Sequence, residues 1–184
     1  MNAGIISSRY AKALLKYVQE NGTGENVYSQ ALVLVFLMDE LPQLKEYVEN
    51  TSEISPERKA GLLASGLEAP LDESLVRFLK MVCDHRRTEY FQRMLLSFIE
   101  EGRKENNIKV GSIVTAVENE GLKDRLEGMV HDRTGAEVHL EERVSPDIIG
   151  GFVFELDGYR LDASVKGHID RIRRQLVEKN NRIV

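Results

Sequence analysis

The apolar residues of this 184-residue chain change their spacing at Asn106-Asn107, and that change constrains the fold more than any other feature. Before it they recur every three or four residues, the period of a helix face. After it they alternate, the period of a strand. A single fold type cannot satisfy both patterns. The expected class is therefore α+β, with an amino-terminal six-helix bundle over residues 1–106 and a small α/β carboxyl-terminal domain over residues 107–184.

In the first part, Tyr10, Ala13, Leu14, Tyr17 and Val18 share one helical face, and Asn21-Gly22-Thr23-Gly24 breaks the chain after them. A second helix is expected from about residue 25 to 41. Its middle, residues 31–38, is apolar on every side, which predicts a central place in the bundle. Pro42 opens a short third helix. Ser55-Pro56-Glu57 starts a fourth, with serine as cap and proline in the first turn, and it runs to about Ser65-Gly66. Asp72 caps a fifth helix with Leu75, Phe78, Leu79 and Val82 on one face. Thr88 is expected to cap the sixth, whose stripe is Phe91, Met94, Leu95, Phe98 and Ile99.

In the second part, residues 108–116 alternate as a strand. A helix follows with Leu122, Leu126, Met129 and Val130 on its face, and Gly135 stops it. Residues 137–144 form another strand. Phe152, Phe154 and Leu156 lead into Asp157-Gly158, and Tyr159, Leu161 and Ala163 lead out, a hairpin signal. A last helix carries Val165, Ile169, Ile172 and Leu176 on one side.

Chemistry is hard to find. Phosphate-loop, dinucleotide-binding, HExxH and GxSxG motifs are all missing. His85, His131, His139 and His168 lack ligand spacing, so neither a metal nor any other cofactor is expected. Cys83, the only cysteine, reads as a small buried hydrophobe in a chain without disulfides. Gly150-Gly151 precedes a strand, not a helix amino terminus, and so reads as a tight entry to the hairpin. His85-Arg86-Arg87 suits the carboxyl end of the fifth helix, where cations complement the helix dipole.

The net charge of −5 is uneven: residues 165–184 hold six Lys or Arg against two Asp or Glu, and the other residues 19 against 28. An acidic body argues against nucleic-acid binding. The longest apolar run, eight residues, is far below the roughly 20 that span a bilayer, so no direct membrane insertion is expected.

Two stretches resemble a known family. Ser8-Arg9-Tyr10-Ala11-Lys12-Ala13-Leu14 is similar to the opening helix of F-type ATP synthase delta subunits and of the mitochondrial oligomycin-sensitivity-conferring protein. More specific is Val144-Ser145-Pro146-Asp147-Ile148-Ile149-Gly150-Gly151-Phe152-Val153, continued by Leu161-Asp162-Ala163-Ser164-Val165 and Ile169-Asp170-Arg171-Ile172-Arg173-Arg174-Gln175-Leu176. That family has a proline, an apolar pair, Gly-Gly-Phe, a short hairpin, Asp-Ala-Ser and an arginine-rich helix in this order. Lys166-Gly167-His168 departs from it where the family often has arginine. Residues 21–141 match only in pattern.

The resemblance implies a non-catalytic stator subunit in proton-driven ATP synthesis. Its helical domain would cap the catalytic head by binding the amino-terminal helix of an alpha subunit in a groove between the first and fifth helices. The residues this brings forward are Tyr10, Ala13, Leu14 and Tyr17 on the first helix, and Leu75, Val76, Leu79 and Val82 on the fifth. Its second domain, between residues 146 and 176, would meet the carboxyl terminus of the b subunits. The place implied is peripheral, on the cytoplasmic face of a bacterial inner membrane. The alternative is a helical-bundle RNA-binding regulatory protein, against which the acidic charge counts; a small enzyme would need a site that the sequence does not display.

Overall fold

The computed structural model describes residues 3–50, 54–67, 69–119 and 121–180. The chain divides into two compact units, Met1–Glu105 and Asn106–Val184.

The described residues of the first unit form α1 (Ala3–Asn21), α2 (Gly24–Glu40), α3 (Pro42–Glu49), α4 (Pro56–Leu67), α5 (Glu73–Asp84), a 3-10 turn at Thr88–Tyr90 and α6 (Phe91–Glu105). Local chemistry sets most of the breaks. Asn21 donates its side-chain amide to the Tyr17 carbonyl at 2.7 Å, and Gly22 turns the chain out of α1 with φ +68. Pro42 begins α3 where its missing N–H costs nothing. The Asp72 carboxylate accepts the Ser74 amide at 2.8 Å and caps α5.

The core of this unit is aliphatic with a few aromatic rings. Leu14, Val18, Leu34, Leu75, Leu79, Met94 and Leu95 are at most 2% exposed. Phe78 and Phe91 meet with ring centroids 6.1 Å apart. Two expectations fail here. The helix that is apolar on every side is not central: α2 buries Val27, Ala31, Leu34, Val35 and Met38 but leaves Leu32, Val33 and Phe36 exposed. Thr88 does not cap α6, because its hydroxyl donates to the Glu49 carbonyl at 3.0 Å and a 3-10 turn intervenes.

The second unit holds β1 (Ile108–Thr115), α7 (Leu122–Thr134), β2 (Glu137–Val144), a 3-10 turn at Pro146–Ile148, β3 (Phe152–Leu156), β4 (Tyr159–Asp162) and α8 (Val165–Asn180). The sheet order is β2-β1-β3-β4, with β1 and β2 parallel and the other pairs antiparallel. A parallel pair needs a crossover, and α7 supplies it. Ile113 sits between Glu142 and Phe154 in register and is fully buried, in one cluster with the buried Val138, Leu140 and Leu156. Of the expected α7 face, Leu122, Leu126 and Val130 pack on this cluster, whereas Met129 is exposed.

Asp157 and Gly158 make the hairpin turn with φ +49 and +79, the left-handed pair that a two-residue turn of this kind requires. At Gly151, φ is +73 and a Cβ would lie 2.3 Å from the Ala163 carbonyl oxygen. Only glycine fits there. Asp162 then organises the start of α8. Its carboxylate accepts both the Ser164 amide (3.0 Å) and the Ser164 hydroxyl (2.6 Å), and the Gly167 amide donates to that hydroxyl.

Candidate functional site

Between α1 and α5 lies an open groove of about 230 Å³. Ala13, Leu14 and Tyr17 form one wall; Ser74, Arg77, Phe78 and Met81 form the other. The walls follow from helical spacing. Residues 13, 14 and 17 fall within one turn of α1. Residues 74, 77, 78 and 81 follow the i, i+3, i+4, i+7 rule along two turns of α5.

The lining is almost wholly apolar, with few polar groups at its mouth. Arg77 Nη1 donates to the Tyr17 hydroxyl at 3.0 Å, so the two walls are joined by a hydrogen bond. The Ser74 and Thr23 hydroxyls are 3.1 Å apart. The groove has no nucleophile paired with a base. Among the described residues no group of three His, Cys, Asp or Glu could hold a metal ion. What the site can do is bury apolar side chains of a ligand.

The residues brought forward by the sequence divide into three sets. Ala13, Leu14 and Tyr17 line the groove. Tyr10, Leu75, Leu79 and Val82 are core residues, none more than 8% exposed. Tyr10 stacks edge-on against Phe78 and His85, with the Arg87 guanidinium 5.5 Å from its ring centroid and hydrogen-bonded to its hydroxyl at 3.3 Å. Val76 is exposed but lies off the groove wall.

The sequence did not bring forward Ser74, Arg77 and Met81, and it read Phe78 as core only. They stand one helical position away from the predicted set. An apolar-stripe reading gives no signal for Ser74 or Arg77, and Met81 falls outside the predicted stripe.

The ends of α5 hold this wall in place. At its amino end Asp72 also accepts the Asn26 side-chain amide at 2.7 Å, and its own amide donates to Gln30 Oε1 at 2.9 Å. Burial works to raise the Asp72 pKa, but the Ser74 amide and hydroxyl and the Asn26 amide outweigh it and hold the carboxyl below its ordinary value. At the carboxyl end His85 Nδ1 lies 2.7 Å from the Met81 carbonyl, as expected of a residue that completes a helix end. Half-buried Cys83 packs against the core, and burial pushes its thiol pKa up.

A second apolar surface lies in the other unit. Val165, Ile169, Ile172 and Leu176, the predicted stripe of α8, are between 43% and 60% exposed. Among the described residues of its unit, the stripe is therefore largely uncovered. The excess of basic residues over 165–184 accompanies it, although residues 181–184 lie outside the described residues. No helix among the described residues is long and apolar enough to cross a membrane.

Comparison with known proteins gives one consistent result. A family model described as ATP synthase delta (OSCP) subunit matches residues 6–176. The chain is 38% identical over 186 residues to the ATP synthase subunit delta of Phocaeicola vulgatus, with 100% of both chains covered. It is 33% identical over 187 residues to that of Bacteroides thetaiotaomicron, again over the full length of both. Among solved structures it is similar in fold to a chain of the Toxoplasma gondii mitochondrial ATP synthase hexamer. There the TM-score is 0.66 and the identity 20%, covering 93% of this chain and 97% of that one.

Proposed function

The chain belongs to the ATP synthase delta (OSCP) subunit family, and from that membership we propose that it joins the catalytic head of the enzyme to the peripheral stalk through two separate contacts. It is a stator-type, structural subunit and not a catalytic one. The comparisons lend no support to the RNA-binding alternative.

In this reading the first unit, as a six-helix bundle, caps the head. Its groove between α1 and α5 receives the amphipathic amino-terminal helix of an alpha subunit, a helix-in-groove contact. The observation that carries this is the groove itself, a two-turn apolar trough open to the surface, with Leu14 and Phe78 at its floor and Ala13 small enough to admit a side chain. The second unit takes the carboxyl terminus of the b subunits along the exposed stripe of α8. The complex stands at the cytoplasmic face of a bacterial inner membrane, where proton flow drives synthesis.

Such a part works by holding. Torque from the central shaft turns the head unless the head is tied to the membrane-anchored stator. Two contacts on one chain make the second binding event intramolecular and raise its effective concentration. Isothermal titration of the full chain with a peptide copying the amino terminus of the alpha subunit tests the first contact. Binding by the natural chain, and its loss in Ala13→Glu, supports the reading. Equal binding by the two chains overturns it.

A further inference from the structure

The geometry points to Arg77 as the residue that selects the groove's ligand, by pairing with a carboxylate on the incoming helix. This rests on the reading of the groove as a helix receptor and adds to it a required charge.

Among the described residues that line the groove, Arg77 is the one cation. It is exposed, and it donates to a neutral acceptor, the Tyr17 hydroxyl. Among the described residues no ion pair includes it, although Glu73 stands one turn before it on the same helix. A guanidinium carries five N–H donors in a planar fork, and a carboxylate takes two of them at once. The Tyr17 hydroxyl uses one. Arg77 is thus held over the mouth of an apolar trough with most of its donors unused.

Position fixes where the carboxylate must be. Arg77 lies between Ser74 and Met81 and beside Phe78. A ligand helix that seats apolar residues at i, i+3 or i+4, and i+7 along this wall therefore brings its acid level with the middle anchor, on the flank facing α5. The ligand is an amphipathic helix with that one acid; an equally apolar helix with a basic residue there meets Arg77 head-on and is rejected. The chain carries a net charge of −5, so its overall field does not attract an acidic helix. Selection comes at short range, after docking, and acts on the dissociation rate more than on association.

The test is a charge swap in the full chain, read by fluorescence anisotropy. The probes are a 20-residue peptide copying the amino terminus of the alpha subunit and a set in which each Asp or Glu is singly replaced by Lys. Arg77→Glu should weaken the unaltered peptide by roughly 10-fold, and one Lys peptide should recover most of that loss on Arg77→Glu while binding the natural chain more weakly. Arg77→Gln, which keeps a donor but no charge, should fall between. Circular dichroism confirms that the variants keep their helices. If the ratio of affinities for natural chain and Arg77→Glu is the same across the whole peptide set, the charge pairing is overturned, while loss of binding in Ala13→Glu would still leave the groove standing. If no peptide binds the natural chain, the groove reading falls and the pairing with it.

Discussion

The Lys59 ammonium donates to the Val48 carbonyl at 2.8 Å although Lys59 is only 1% exposed, so a buried cation closes the carboxyl end of α3. It also donates to the Asn50 carbonyl at 2.5 Å. Burial pulls the Lys59 pKa down, against a smaller upward pull from Cys83. A carbonyl of the last turn of α3, Val48, and that of Asn50 just beyond the helix are thus satisfied by one side chain from α4.

Lys59→Ala removes this donor and leaves a cavity. It should lower stability by about 2–4 kcal/mol, from lost packing and lost hydrogen bonds together. Urea unfolding followed by circular dichroism reads the change. A change below 1 kcal/mol, taking the usual cost of an unmade buried hydrogen bond, would mean that the lysine is not holding α3.

Asp72 should give the first unit an acid-sensitive component. Its folded-state pKa is below that of an unfolded aspartate, so its contribution is complete above about pH 4 and fades as pH falls through the lower folded value. Asp72→Ala should cost roughly 1 kcal/mol at pH 7, as lost helix caps do. The gap between the natural chain and Asp72→Ala should narrow as pH drops below 4. A gap that stays constant from pH 7 to pH 2 would contradict the cap.

Leu79 and Met81 lie two residues apart on α5 and should respond in different ways. Leu79 is fully buried, and Leu79→Ala should destabilise by about 2–5 kcal/mol. Met81 is half-buried, on the groove wall and against the edge of the core, so Met81→Glu should cost less stability than Leu79→Ala, roughly 1–2 kcal/mol, and abolish binding of an alpha-subunit peptide. Paired melting curves and titrations check this, and a stable, fully binding Met81→Glu would remove the groove's α5 wall from the contact.

Gly151→Ala should destabilise the second unit by at least about 1–3 kcal/mol, because alanine must occupy φ +73 and its Cβ collides with the Ala163 carbonyl. Amide exchange in β3 and β4 should quicken while exchange in α1 and α6 is unchanged. Uniform protection in both units would refute a local role.

What could be read from the sequence was chemistry that acts locally. Asp157-Gly158 specifies its turn through the backbone of two residues, and Asp72 caps α5 through an amide two residues away. What could not be read was how much of an apolar surface its neighbours cover. The run 31–38 looks the same whether a helix is enclosed or on the surface, and Val33 and Phe36 turn out to be exposed. On α5, Leu75 and Phe78 are both large, apolar and buried, and only the position of α1 decides that Phe78 also borders the groove. The groove also takes Arg77 and Ser74 into its wall, residues that an apolar-stripe reading passes over. On α8 the periodic stripe was legible, but its exposure was not, because period alone does not say whether a partner lies inside the unit or outside it.

The central claim, that the α1–α5 groove holds an alpha-subunit helix, is tested most directly by disulfide cross-linking in the assembled ATP synthase. Cys83 is first replaced by alanine; a cysteine is then placed at Ala13 or, as a control on another exposed face, at Phe36, with a partner cysteine in the amino-terminal segment of alpha. A cross-linked delta–alpha product from Ala13→Cys and none from Phe36→Cys is the predicted result. Cross-linking from Phe36→Cys with none from Ala13→Cys would contradict the account.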